Sequence, residues 1–312
     1  MKLIKPKFWK TKNFFSFVLL PFSFFLELII FFKKVFTKVQ NFNIPIICVG
    51  NIYIGGTGKT PTSILIANEL YRREKKPAII KKYYENHYDE HRLIKAKFNN
   101  LFLNKKRISA INKAIDLGSD SIILDDGFQD LSIKKDLSIL CFNENQLIGN
   151  GLIFPSGPLR ENISALKHAH IIVIIGQKNL NFEKKILSIN SKIEIYYSNY
   201  VPRNIDKFRN KKLFAFAGIG NPENFFKLLK QNNLLLEKQV SYPDHYNFKK
   251  NELVNIIKEA NDRNCEVITT EKDYFRLENY GIKNLNYLTV ELQIENKEKL
   301  IKKILELYDK KS

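Results

Sequence analysis

The stretch Val49-Gly50-Asn51-Ile52-Tyr53-Ile54-Gly55-Gly56-Thr57-Gly58-Lys59-Thr60-Pro61 decides how the chain is read. The phosphate-loop pattern G-x-x-x-x-G-K-[ST] puts its second glycine, lysine and hydroxyl at Gly58, Lys59 and Thr60, but its first glycine falls on Tyr53. The surroundings support a nucleotide site despite that misfit. Residues 44–49 are a short apolar β-type run, and residues 61–73 have helical spacing with Pro61 in the first turn, where its missing N–H costs little. Between them, Gly55, Gly56, Thr57 and Gly58 let backbone N–H groups turn towards an anion, and the following helix adds the positive end of its dipole. Lys59 would reach the β- and γ-phosphates of ATP, and Thr60 would ligate Mg²⁺.

Outward from this loop, strand-like runs at residues 77–81, 121–124, 137–142 and 171–175 alternate with helical spacing such as that at residues 106–117. This predicts a largely parallel sheet covered on both faces, an α/β domain of the P-loop NTPase kind. The strand at 121–124 ends in Asp125-Asp126-Gly127-Phe128-Gln129. A carboxylate at that end of a strand is where a P-loop protein holds its metal, directly or through water, so Asp125 and Asp126 are metal candidates with Thr60. Adjacent carboxylates repel unless a cation lies near them, although Asp and Gly also dominate ordinary surface turns. Residues 193–208 are Tyr/Asn-rich and extended and read as a linker, after which a second alternation begins at 213–217. The expected organisation is an N-terminal apolar segment (1–40), a phosphate-loop domain (41–208) and a smaller C-terminal α/β domain (209–312).

The first segment contains FFSFVLLPFSFFLELIIFF, residues 14–32, long enough to consider a span of roughly 20 residues. Pro21 would break or kink a helix there, Glu27 would be costly in hydrocarbon, and lysines flank both ends. Positive charge on both sides gives no orientation signal and suits a segment lying in the cytoplasmic face of a membrane; a buried core helix is the competing reading. Fifty-one Lys+Arg against 32 Asp+Glu give a net charge of +19, a field that attracts phosphates, anionic lipid or nucleic acid. Cys48, Cys141 and Cys265 form no C-x-x-C pair, which excludes a disulfide framework or zinc ribbon and fits a reducing cytosol.

Taken together, GNIYIGGTGKTP, DDGFQ, NGLIFPSGPLRE (150–161), AGIGNPENFF (from Ala217) and Pro243-Asp244-His245 resemble, in order, the tetraacyldisaccharide 4'-kinase family of lipid A assembly. The resemblance implies transfer of the ATP γ-phosphoryl group, with Mg²⁺, to the 4'-hydroxyl of a tetraacylated glucosamine disaccharide 1-phosphate at the cytoplasmic face of the bacterial inner membrane. It implies a catalytic Asp89 acting on the acceptor hydroxyl and paired with His245. It also makes Glu90, Gln129, Arg160 and Glu161 substrate-binding candidates. By sequence alone Asp89 is one acid in a polar loop, and Arg160-Glu161 could be a surface ion pair.

The chain departs from the family where Lys81-Lys82-Tyr83-Tyr84-Glu85 replaces the usual Ser-Arg-Gly-Tyr-Gly, where Tyr88 and His91 flank Asp89-Glu90, and where Asp130 replaces a histidine after DDGFQ. One rival reading is a partition- or chaperone-type P-loop ATPase switch, which GGTGKT alone would allow. The other is a basic nucleic-acid-binding protein, ranked last because no recognisable module supports it.

Overall fold

A computed structural model describes residues 6–244 and 246–311 of the chain. The apolar run behind the phosphate loop forms β1 (Ile46–Gly50), with every residue buried. In chain order the first part holds α1 (Phe14–Val18), α2 (Leu20–Phe36), β1, α3 (Lys59–Tyr71), β2 (Pro77–Lys82), α4 (Tyr88–Lys97), β3 (Leu101–Asn104), α5 (Arg107–Asp116), β4 (Ser121–Asp125), β5 (Leu137–Asn143), β6 (Ile171–Ile175), α6 (Leu180–Ile189) and β7 (Glu194–Pro202). The rest holds β8 (Lys212–Ala217), α7 (Pro222–Gln231), β9 (Leu235–Ser241), α8 (Lys250–Asp262), β10 (Glu266–Thr270), α9 (Glu271–Leu277), β11 (Leu285–Leu288), β12 (Val290–Ile294) and α10 (Lys297–Asp309).

An eight-stranded sheet has the order β12-β7-β6-β5-β1-β4-β2-β3, and the pairs from β7 to β3 are all parallel. Continuous apolar runs such as 121–124 and 171–175 fit strands covered on both faces, and β4, β5 and β6 are buried throughout. From β1 the chain goes to β2 and β3 on one side of the sheet, and after β4 it continues through β5, β6 and β7 on the other. The carboxyl ends of β1 and β4 therefore lie where the strand order reverses, the position at which open α/β sheets bind ligands. Residues 193–208 do not form a linker: β7 occupies most of them and pairs with β6.

The chain folds into two compact units that interleave in sequence. One comprises residues 6–83, Phe98–Asn199 and 293–311; the other comprises Tyr84–Lys97 and Tyr200–Leu292. The second unit is built on a parallel sheet of order β11-β10-β8-β9. Along β8, Leu213, Ala215 and Ala217 enter one apolar cluster with Phe225, Phe226 and Leu229, while Phe214 and Phe216 enter another with Phe248, Leu253 and Ile256. The period of two sends alternate side chains into cores on opposite faces.

At the N-terminus Pro21 lies in the first turn of α2, so the chain breaks between α1 and α2 and the longer helix runs on uninterrupted. No helix among the described residues is long and apolar enough to cross a membrane. The apolar run hides a polar seam. Ser23 is buried, donates to Ile153 O (2.8 Å) and shares a hydroxyl–hydroxyl hydrogen bond with Ser156 Oγ (2.8 Å), Glu27 accepts from Asn162 Nδ2 (3.1 Å), and Lys34 pairs with Glu161 (3.4 Å). Phe14, Phe15, Phe22, Phe25 and Phe36 stay exposed.

Leu140 is fully buried in β5 within the main core. Leu140→Ala is expected to destabilise its unit by about 2–5 kcal/mol and Leu140→Met by less than about 1.5 kcal/mol, read from denaturant midpoints.

Candidate functional site

β1 ends at Gly50 because the loop after β4 crosses it there: a Cβ on Gly50 would lie 2.5 Å from Phe128 Cβ. The chain then forms the phosphate loop, which a single side chain holds in shape. The Asn51 amide donates to Tyr53 O (2.6 Å), Gly55 O (3.3 Å) and Thr57 Oγ1 (2.8 Å). At the turn into α3, Gly58 has φ +86°, a left-handed conformation that side chains with a Cβ resist. Tyr53, where the simple pattern asks for glycine, forms an antiparallel bridge with Leu159; Ile54 N donates to Pro158 O (2.8 Å) and Arg160 N to Ile52 O (2.7 Å). The loop is extended there and clipped to FPSGPLRE, so no glycine conformation is needed, and the clip sets the position of Arg160.

Asp125 and Asp126 leave β4 in different directions because Asp126 adopts φ +56°. Asp125 is fully buried; its Oδ2 accepts from Thr60 Oγ1 (3.0 Å) and Lys81 Nζ (2.6 Å), and its Oδ1 from Ser63 Oγ (3.1 Å). Asp126 accepts from Arg160 at 2.9 and 3.1 Å and lies 3.8 Å from Lys59 Nζ. Burial alone would raise the Asp126 carboxyl, but Lys59, Arg160 and Lys81 overcome that and hold it well below the usual carboxylate range. The cations that relieve the Asp-Asp repulsion are thus a lysine on each carboxylate and an arginine on the second.

Gln129 Nε2 donates to Asn51 O (2.8 Å) and Glu161 Oε1 (3.0 Å), which ties the phosphate loop, DDGFQ and LRE into one network. Asp130, the departure after DDGFQ, binds Arg107 at 3.0 Å. The set therefore brings together Gly55, Gly56, Thr57, Gly58, Lys59, Thr60, Asp125, Asp126, Gln129, Arg160 and Glu161. Burial pushes the Cys48 and Cys141 thiols up to about 12, which leaves them inert as nucleophiles.

The other unit contains Asp89 and Glu90. They lie in the first turn of α4, not in a polar loop, where carboxylates favour the helix dipole. Asp89 is 2% exposed, accepts from Arg276 and lies 4.0 Å from Lys272 Nζ. Lys272 also meets Glu90 at 2.9 Å and Asp244 at 3.6 Å. Burial would lower the Lys272 ammonium, but Glu90, Asp244 and Asp89 hold it above the usual lysine range. Arg276 is fixed by Asp273 (2.9 Å) and Gly218 O (3.2 Å). His245 lies outside the described residues.

Sequence reasoning missed Asn51, Lys272 and Arg276. The charges in EKDYFR at 271–276 were visible, but their partners come from α4, far earlier in the chain. Asn51→Ala would remove the three hydrogen bonds that its amide makes inside the loop, a cost of about 1–3 kcal/mol. If that cost is met on binding, ATP affinity falls roughly 5- to 150-fold while the fold persists, as titration with a fluorescent ATP analogue would read.

Residues 15–309 match the family model described as LpxK, tetraacyldisaccharide-1-P 4'-kinase. The chain is 45% identical to the tetraacyldisaccharide 4'-kinase of Pelagibacter ubique, over 99% of this chain and 100% of that relative. It is 33% identical to that of Rickettsia bellii, over 97% and 98%. Its structure is similar to a crystal structure of LpxK from Aquifex aeolicus in complex with ATP, with a TM-score of 0.71, 25% identity and coverage of 94% of this chain and 99% of that one. A family match that takes in both the phosphate loop and the Asp89 segment leaves one assignment: the chain belongs to the tetraacyldisaccharide 4'-kinase family.

Proposed function

We propose that Lys59, Arg160 and Asp89 divide the work of the 4'-kinase reaction. As a member of its family, the chain is an ATP-dependent kinase that moves the γ-phosphoryl group of ATP to the 4'-hydroxyl of a tetraacylated glucosamine disaccharide 1-phosphate. The observation that carries the assignment of roles is the arrangement at the start of α3, with Thr60 on Asp125 and both Lys59 and Arg160 on Asp126. The donors suit Mg²⁺: because the Thr60 hydroxyl gives its proton to Asp125, its lone pairs remain available, and the carboxylates supply the hard oxygens that Mg²⁺ prefers. Thr60, Asp125 and Asp126 would hold the ion directly or through water; when bound it neutralises charge on the β- and γ-phosphates.

Backbone N–H groups of residues 55–60 and the Lys59 ammonium bind the phosphates, and Arg160 offsets charge that develops on the transferred group. The acceptor oxygen bonds to the γ-phosphorus as the bond to ADP breaks, and ADP leaves. The hydroxyl proton passes to the Asp89–His245 pair, a role that rests on the family resemblance. Glu90, Gln129 and Glu161 orient the acceptor sugar. Arg276 and Lys272 hold the Asp89 carboxylate in direction.

The reading places the chain on the cytoplasmic face of the inner membrane, with the outward aromatic face of α2 in the interface. The excess of basic residues is assigned to anionic headgroups and the lipid 1-phosphate, with no nucleic-acid partner.

Purified protein incubated with labelled ATP, Mg²⁺ and the tetraacyl disaccharide 1-phosphate should yield labelled lipid. Lys59→Ala and Asp89→Ala should each lower the rate at least about 100-fold, Asp89→Ala with ATP binding retained. Equal labelling by Asp89→Ala would remove it from the chemistry. Replacing Phe22, Phe25 and Phe32 together by serine should release the protein from anionic vesicles in a flotation assay at least about tenfold while ATP binding persists.

A further inference from the structure

We infer that Lys81 is a positioning residue of the phosphate site: a built-in counter-ion that keeps Asp125 a hydrogen-bond acceptor for Thr60 and Ser63 instead of a direct ligand of the divalent cation. The inference rests on the phosphate-loop reading and deepens it. Lys81 stands opposite Asp125 in the parallel ladder of β2 and β4, and the two side chains are 6% and 0% exposed. Lysine is almost never fully buried unless paired, and here its Nζ is 2.6 Å from Asp125 Oδ2.

The arrangement has a chemical consequence. An unpaired buried carboxylate at the end of β4 would draw a divalent ion into direct coordination. With the Lys81 ammonium on Oδ2, the pair is neutral, and an ion on that oxygen would stand against the lysine charge. Three of the carboxylate's roughly four acceptor sites are already taken, by Thr60, Ser63 and Lys81. Thr60 is therefore oriented without the metal: its proton is committed to Asp125 and its lone pairs are left for the ion. Thr60 and the phosphates of the nucleotide would then reach Mg²⁺ directly, and Asp125 would reach it only through water. Asp126, which faces Lys59 and Arg160, is outside this closed set.

The test is thermal unfolding of the full chain without nucleotide, with and without millimolar MgCl₂, alongside the kinase assay. The wild-type midpoint is expected to be unmoved by Mg²⁺ alone. Lys81→Met should lower the midpoint and make it rise with Mg²⁺, because uncompensated Asp125 recruits the ion. Lys81→Arg, which keeps the charge, should remain Mg²⁺-indifferent. The double variant Lys81→Met/Asp125→Asn should regain most of the lost midpoint and show no Mg²⁺ response. In the assay, Lys81→Met should lower kcat about 10- to 100-fold with a smaller change in KM for ATP.

A Mg²⁺-indifferent Lys81→Met would overturn the inference, as would a wild-type midpoint that rises with Mg²⁺ and loses the rise in Asp125→Asn. Should Lys81→Met not fold, the double variant decides: folded and Mg²⁺-indifferent upholds the counter-ion role, and unfolded overturns it. Failure of the phosphate-loop reading would show separately, as absent ATP binding by the wild type.

Discussion

A carboxylate with no exposure to solvent must be surrounded by donors or lose its charge, and Asp125 imposes that condition on the whole phosphate site. Its donors come from the first turns of α3, through Thr60 and Ser63, and from β2, through Lys81. The start of α3 is thereby fixed to two strands of the sheet. One residue later the backbone turns left-handed, and Asp126 collects Lys59 and Arg160 on the outer side. A single peptide unit thus separates a closed, hydrogen-bonded carboxylate that shapes the loop from a more accessible one paired with Lys59 and Arg160.

The loop that meets this sheet is longer than the simple pattern allows, and the structure gives the reason. Residues 52–54 are extended and bridged to residues 158–160, so the chain spends its extra length building the position of Arg160. Asn51 spans the resulting bend with its amide and does work that tighter loops leave to backbone conformation alone. Tyr53 is buried in the same core as Ile52, which a glycine could not fill.

The parallel sheet was legible in the sequence because β1, β4, β5 and β6 are almost purely apolar, and the phosphate loop was legible because strand, glycine turn and helix follow one another locally. What escaped depends on partners far along the chain. β7 reads as a linker because it carries tyrosine, serine and asparagine, yet Tyr196 reaches Glu194, and Tyr197 reaches Glu183 and Asn179 N, so its polar groups are satisfied within the fold. α4 reads as a polar loop because few of its residues are apolar. Its charges are matched by α9 and the residues beyond it, with Lys97 on Glu271, Glu90 on Lys272 and Arg92 on Glu278. No local pattern reveals a pairing closed by some 180 intervening residues, whose loop entropy is recovered only once both elements are folded.

The N-terminal helix shows the converse, a pattern present in the sequence but masked by its composition. Aromatic residues dominate the run so thoroughly that Ser23, Glu27 and Lys34 look like interruptions, whereas their spacing of four and seven places them on one side of a helix. That side docks on residues 153–162 through hydrogen bonds and an ion pair, which satisfy polar groups that would be costly in hydrocarbon. A spanning helix would have to desolvate these groups; a core helix would have to bury the phenylalanines on the other side. In the fold the polar side of α2 is docked and its phenylalanines stay exposed. The segment that receives the seam also carries Arg160 and Glu161, so the aromatic surface and these two site residues are positioned by the same ten residues of chain.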